Sequence, residues 1–379
     1  MTSTGLSRRG FALSTVAVLA APHVARAEDP IRIGVVAPST GPAAEAGKYQ
    51  LNGARQALEA VNEKGVLGRK MELVVEDDQT TNPGAVLAFS RLSAQADIAA
   101  FIGSIRSTQV HAMAPDILKV GKPTMIGGTD PTLTRLGNRW LFRCRPNDSY
   151  SAKVIAEFGT GELKKQKWAV VYSTDAFGTN GAKALEAALK DKGVTPVLMQ
   201  GYTNQASDYT AVVLAVRQSG ADVIGSYFTF EGDLGIFARQ LRQLGVTIPW
   251  VGSPSIVNVT ALNLAGRALF GTFGVADYAV DATPASKAFA ERYQALYKVL
   301  PDNQASWSFD AVGLLARAIG DAGSTDPEKI RTAMLAIRGY QGAEGEYNFD
   351  ERGDGLRGYN IVRNENGKVV FDRRIEVKE

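Results

Sequence analysis

FIGSIRSTQVHAMAPDILKVGKPTMIGGTDPTLT, running from Phe101 to Thr134, decides the fold of this chain. An apolar strand, Ile98 to Ile102, ends in Gly-Ser-Ile-Arg-Ser-Thr. One helix later a short strand, Thr124 to Ile126, ends in Gly-Gly-Thr-Asp-Pro. Two such strand-to-helix turns make a βαβα run, and parallel strands set them side by side at the carboxyl edge of a sheet, where open α/β folds bind ligands. Both turns supply hydroxyls, backbone N–H groups and the start of a helix. Neither supplies a nucleophile–base pair or a metal cluster. The stretch is equipped to hold a small polar molecule.

The same rhythm extends outward on both sides. Upstream, Ile31 to Ala37 is a nearly continuous apolar strand broken by Pro38-Ser39-Thr40-Gly41-Pro42. Tyr49 to Lys64 follows as an amphipathic helix with Ala54, Leu58 and Val61 on one face and Gly65 at its end. Lys70 to Glu76 is a second strand. Asp77 and Asp78, with no third carboxylate or histidine nearby, read as loop solvation and capping of the helix at Pro83 to Gln95. Downstream, strands at 168–172, 195–200, 223–228, 250–252 and 272–276 alternate with helices centred on 183–192, 209–219 and 235–244. Strict alternation predicts parallel sheets with helices on both faces, and the number of strands predicts two sheets.

From Pro284 the pattern changes to three helices, 286–300, 306–321 and 326–337, the last with Asp326 as N-cap and Pro327 at the first helical position. Hairpin-like segments at 346–350, 358–363 and 368–379 close the chain. Asp350-Glu351-Arg352-Gly353-Asp354-Gly355 lacks the acid spacing of an EF-hand and reads as a turn.

The 379 residues, 45% hydrophobic and 21% charged, suffice for two domains. Residues 1–27 read as an export signal: a basic start, an apolar run from Phe11 to Ala21, and Ala25-Arg26-Ala27 as cleavage site. Ser7-Arg8-Arg9-Gly10-Phe11 resembles the twin-arginine motif, and the apolar run is too short to span a bilayer. Cleavage after Ala27 places the mature chain in the periplasm with 39 basic and 39 acidic residues, so the formal +3 belongs to the signal. No basic face is left to suggest nucleic acid. A single cysteine, Cys144, excludes an internal disulfide and a cysteine-based zinc site, and no cofactor is implied. His111 and Cys144 have no partner at an identifiable spacing, which argues against an enzyme.

Several short markers recur in order along the chain: Ile33-Gly34-Val35 with Ser39-Thr40-Gly41-Pro42, Asn52 to Ala57, Glu76-Asp77-Asp78, Ile102-Gly103 with Ser107, Phe177-Gly178, Leu264-Ala265-Gly266, and Asn348-Phe349-Asp350 with Gly353-Asp354. With them the sequence resembles the periplasmic substrate-binding proteins of ABC transporters, in the branched-chain amino-acid (leucine/isoleucine/valine) group. The resemblance implies a type I periplasmic-binding-protein fold, two doubly wound α/β lobes joined by three hinge crossings. Lobe 1 would be residues 28–147 plus 278–350, and lobe 2 residues 148–277 plus 351–379. It also implies a receptor that captures a small amino acid or carboxylate-bearing organic acid and delivers it to an inner-membrane ABC permease. A sensor coupled to a signalling partner is the alternative on the same fold.

By that resemblance Ser107 and Thr108, with Gly127, Gly128 and Thr129, hold the ligand's carboxylate. The residue types suit the task. Ser107 reads as an N-cap, Thr108 opens a helix whose positive end faces the anion, and the glycines allow close backbone approach. The dipole contributes only ~0.3–1 kcal/mol, up to ~2 when partly buried, so several contacts are needed. Phe177 and Phe230 form the apolar wall across the cleft, beside Ser253-Pro254-Ser255. That last segment stands where the family's amino-acid binders place an acid for the ligand's ammonium. A ligand without an amine is therefore expected unless Glu231 or Asp277 substitutes. Ala46, in place of an aromatic, implies a roomier mouth. Arg106 stands where some relatives have a disulfide cysteine and is expected to point away from the cleft.

Overall fold

The computed structural model describes residues 1–2 and 29–377; the expected export signal and its cleavage site lie outside them. The chain first builds a parallel sheet from β1 (Ile31–Ala37), β2 (Met71–Asp77), β3 (Ile98–Ile102), β4 (Thr124–Ile126) and β5 (Leu141–Arg143), in the order β2-β1-β3-β4-β5. Between these strands lie α1 (Ala44–Lys64), α2 (Asn82–Ser93) and α3 (Ser107–Val120).

The chain then crosses to a second unit. This holds α4 (Asp148–Glu157), β6 (Trp168–Ser173), α5 (Ala176–Asp191), β7 (Leu198–Tyr202), α6 (Thr210–Gln218), β8 (Val223–Tyr227), α7 (Glu231–Gln243), β9 (Trp250–Gly252), α8 (Val259–Ala265) and β10 (Phe273–Ala276). It returns to the first unit for α9 (Pro284–Tyr297), α10 (Asn303–Ala322), α11 (Pro327–Ala336) and the small pair β11 (Tyr340–Gln341) and β12 (Glu346–Tyr347). Finally it crosses again to add β13 (Gly358–Glu365), antiparallel to β10, and β14 (Lys368–Glu376), antiparallel to β13, to the second sheet, whose order is β14-β13-β10-β9-β8-β6-β7.

Two sheets and three crossings match the expected doubly wound, two-lobed architecture. The near-continuous hydrophobicity of β1 has a direct cause. Ile31, Ile33, Val35 and Ala37 belong to a core with α1, α10 and α11, while Val36 belongs to the core under α2 and α3. A strand covered on both faces needs apolar residues at both parities. The second sheet is sandwiched likewise, with α6 to α8 on one face and α4 and α5 on the other. Among the described residues no helix is long and apolar enough to cross a membrane.

Three local expectations are corrected. Asp77 and Asp78 do not cap α2; its N-cap is Thr81, whose Oγ1 accepts from the Gly84 amide at 3.0 Å. Asp77 instead accepts from the Ser39 and Thr40 amides and the Thr40 hydroxyl, tying the turn after β2 to the turn after β1. Ala46 is packed in the core beneath α1 and does not widen the cleft mouth. Ser107 is the first helical residue of α3, and the N-cap position belongs to Arg106. The turn at Asp350 forms as expected, with Asp350 Oδ1 accepting from the Arg352 and Asp354 amides, and Asp326 caps α11 through the Lys329 amide.

Candidate functional site

Strand orders 2-1-3 in the first sheet and 7-6-8 in the second each reverse direction once, and ligands of such sheets bind outside the carboxyl ends of the strands near the reversal. Here the two carboxyl edges face each other. The cleft between them holds a cavity of about 50 Å³. The first lobe lines it with Ile105, Arg106, Ser107, Thr108 and Thr129 from the turns after β3 and β4, and with Asn303 and Gln304 from the first turn of α10. The second lobe contributes Phe177, Phe228, Thr229, Glu231, Pro254, Ser255 and Asn258, and Arg145 reaches in from the first crossing.

Of the residues expected at the site, Ser107, Thr108, Thr129, Phe177 and Pro254 line this cavity together. Ser107 and Thr108 sit in the first turn of α3, where a helix leaves its N–H groups without intrahelical partners. The Ser107 hydroxyl accepts from the Asp130 amide at 3.2 Å and so joins the two turns. Thr129, fully buried, passes its carbonyl to the Asp148 amide at the start of α4. Gly127 and Gly128 lie behind the wall. A Cβ on Gly127 would stand 2.7 Å from the Trp307 ring, and one on Gly128 would stand 2.9 Å from Leu133 and 3.2 Å from the Ser107 Cα. Their bareness lets the turn after β4 press against α10 and α3. Phe230 does not line the cavity either; it is buried in the first lobe's core cluster, with the Arg106 guanidinium over its ring.

Arg106 points into the cleft, contrary to expectation. Its Nη1 donates to the Thr229 carbonyl at 2.6 Å, and its guanidinium lies 4.1 Å over the centre of the Phe230 ring. The reason is the second lobe: a carbonyl and an aromatic face from the turn after β8 meet the side chain. Glu231 follows that turn. Its Oε1 accepts from Asn258 Nδ2 at 2.9 Å, and its Oε2 stands 3.9 Å from Arg106 Nη2. Asp277 is committed elsewhere, holding Arg145 Nε at 2.5 Å while Arg145 Nη1 donates to the Gly127 carbonyl at 3.0 Å. Burial opposes the charge on Arg145, but Asp277, Glu344 and Tyr359 together outweigh it and hold the guanidinium's pKa above its ordinary value.

His111 does have an acid partner, which sequence spacing does not reveal. Its Nε2 lies 2.7 Å from Asp130 Oδ2, and the same carboxylate accepts from Asn180 Nδ2 at 2.8 Å across the lobes. Burial works to raise the Asp130 pKa, yet bonds from His111, the Thr132 amide and Asn180 carry it below the usual carboxylate value. Both His111 and Asp130 lie outside the cavity lining, and with Asn180 they tie α3 and the turn after β4 to α5. Cys144 is fully buried, and burial pushes its thiol pKa well up. No cluster of three or more His, Cys, Asp or Glu side chains among the described residues is arranged to hold a metal.

Comparison with known proteins agrees with this architecture. The chain matches the periplasmic binding protein family over residues 30–368. It is 30% identical over 361 residues to an amino acid binding protein of Pseudomonas aeruginosa, covering 93% of this chain and 94% of that one. The fold superposes on a leucine binding protein of Thermotoga maritima with a TM-score of 0.86 at 24% identity, covering 91% of this chain and 99% of the other. A solute binding protein of R. palustris in complex with benzoate superposes with a TM-score of 0.82 at 18% identity, covering 90% and 95%. On sequence and architecture together, the chain belongs to the periplasmic binding protein family.

Proposed function

We propose that this protein is an extracytoplasmic solute receptor that encloses a small amino acid or carboxylate-bearing organic acid between its lobes and hands it to an inner-membrane ABC permease. One observation carries the reading: residues that line the inter-lobe cavity carry buried polar atoms with no hydrogen-bond partner in the protein. They are Arg106 Nε and Nη2, Asn258 Oδ1 and Asn303 Oδ1. A buried group left unpaired costs ~1–3 kcal/mol, so a ligand that completes these bonds favours the closed lobes.

In this reading Ser107, Thr108 and Thr129 hold the carboxylate, and Gly127 and Gly128 let their turn sit against α10. Phe177 and Pro254 form the apolar wall, and Phe230 carries the Arg106 guanidinium. The lobes, 28–147 plus 278–350 and 148–277 plus 351–379, close as bodies about the three crossings, and ligand contacts to both stabilise the closed state. The named ligands of the relatives support a carboxylate, since the P. aeruginosa protein is an amino acid binder and the R. palustris protein holds benzoate. Export with cleavage after Ala27 completes the proposal; the secreted protein should begin at Glu28 by N-terminal mass spectrometry, and a different start refutes the cleavage site.

A thermal-shift screen of amino acids and small carboxylic acids tests the function. A ligand at a hundredfold excess over its Kd adds ~2.7 kcal/mol of stability, which moves Tm visibly. At least one compound should raise Tm; a panel that leaves Tm unmoved contradicts the proposal.

A further inference from the structure

We propose that the two lobes are fastened to each other beside the cleft by a latch of their own, in which the Asp130 carboxylate of the first lobe grips Asn180 of the second, so that part of the population closes before a solute is bound. The latch sets how tightly every solute is held and touches none of them. Its effect on affinity rests on the receptor reading above; the resting balance between open and closed lobes does not.

The first-lobe half is built in advance. Asp130 is fully buried. Its amide donates to the Ser107 hydroxyl at 3.2 Å, and its carbonyl accepts from Arg143 Nη1 at 2.8 Å. Oδ1 accepts from the amide and the hydroxyl of Thr132, both at 2.9 Å, and Oδ2 lies 2.7 Å from His111 Nε2. Burial works against the charge, yet the bonds from His111, Thr132 and Asn180 keep the carboxyl below its ordinary pKa and therefore an anion. Ser107, His111, Thr132 and Arg143 all belong to the first lobe, so that lobe alone fixes where the carboxylate stands. A carboxylate oxygen accepts more than one hydrogen bond, and the further donor on Oδ2 is Asn180 Nδ2, at 2.8 Å, from the second lobe.

The second-lobe half is equally well seated. Asn180 stands half-buried in the second turn of α5. That helix is capped by Asp175, whose Oδ1 accepts from the Gly178 amide at 2.9 Å. It is pressed onto its sheet at Gly181, where an added Cβ would stand 2.4 Å from the Tyr227 ring. Phe177 and Asn180 are three residues apart and so share one helix face. Phe177 lines the cavity, whereas Asn180, Asp130 and His111 do not. One face of α5 thus meets the solute at Phe177 and the opposite lobe at Asn180.

A bond between residues of two lobes exists only while the lobes are together, and a bond to an ion is stronger than one between neutral groups. Removing it leaves a buried anion one donor short in the closed form. Apparent affinity scales with the fraction of protein in the binding-competent form. A contact made in the closed form and outside the cavity therefore changes the affinity for all solutes by one common factor. The Arg106 bond to the Thr229 carbonyl differs in this respect, because both residues line the cavity and a solute can reach them.

Small-angle X-ray scattering of the purified protein without added solute, beside Asn180→Ala and Asn180→Asp, tests the latch. Asn180→Ala should enlarge the radius of gyration, and Asn180→Asp, which sets carboxylate against carboxylate, should enlarge it at least as much, with circular dichroism confirming that both variants fold. In calorimetric titrations with L-leucine, L-alanine, L-glutamate and benzoate, Asn180→Ala should weaken every compound that the wild type binds by the same factor, about three- to tenfold. Identical scattering from the three proteins overturns the latch and leaves the receptor reading standing. A loss of affinity that differs from compound to compound overturns it too, since Asn180 would then be touching the solute. If no amino acid or carboxylic acid binds, the receptor reading falls and the scattering alone decides the latch.

Discussion

Ser107 does two jobs from one position. Its hydroxyl accepts the Asp130 amide and locks the turn after β4, while its place at the start of α3 offers an anion the unbonded end of a helix. Thr129 is built into the same corner. Each lost hydrogen bond costs ~0.5–1.5 kcal/mol, and more if a charged partner is involved. Replacing Ser107 and Thr129 together by alanine should therefore weaken ligand affinity at least about tenfold in a calorimetric titration. Unchanged affinity would remove both residues from the site. These residues were legible in the sequence because Ser and Thr after a glycine turn mark a helix start. Arg106 was not. Its direction is set by Thr229 and Phe230, which lie 123 and 124 residues away in the other lobe and carry no local signature.

At the scale of elements, the misplaced boundaries fall on the site. Apolar periodicity centres α5 on 183–192 and α7 on 235–244 and gives α10 as 306–321, while the first turns of these helices, at Ala176, Glu231 and Asn303, lie ahead of those stretches. The missing first turns carry Phe177, Glu231, Asn303 and Gln304, whose side chains face the cleft. Residues chosen to meet a ligand break the hydrophobic pattern that signals a helix, so the pattern fades where the function lies. Strands β1, β3, β4 and β9, buried throughout or nearly so, were readable almost to the residue. Packing between helices was not readable. At Gly53, where α1 meets α10, an added Cβ would stand 2.0 Å from the Ala305 carbonyl and 2.7 Å from Ser308 Oγ. Gly53→Ala should destabilise the protein by ~1–3 kcal/mol through overpacking. Denaturant unfolding checks this, and a midpoint equal to wild type would contradict it.

The whole molecule turns on its three crossings, which are tied together by buried charge. Asp354 in the last crossing accepts from Arg143 Nε at 2.8 Å at the end of β5, from Asn147 Nδ2 at 3.1 Å in the first crossing and from Arg135 Nη1 at 3.2 Å in the turn before β5. At three other buried carboxylates desolvation dominates. Burial pushes Asp148, Asp302 and Asp310 up to about 7 from an ordinary 3.8. A carboxyl whose folded pKa lies above its unfolded one holds its proton in the folded state through that interval, so stability falls as pH rises from about 4 toward 7. Tm should therefore be higher near pH 5 than near pH 7. Asp302→Asn should flatten the dependence, because asparagine can still cap α10 through the Gln304 amide but cannot titrate. A Tm that rises from pH 5 to 7 would contradict the assignment.

A crystal structure of the complex with the tightest binder from the acid panel decides whether ligand is enclosed between the lobes by hinge closure. The ligand's carboxylate should lie at the first turn of α3, between Ser107 and Thr129, with Phe177 and Pro254 closed over the other side. A ligand bound outside this cavity, or held by one lobe with the cleft open, would contradict it.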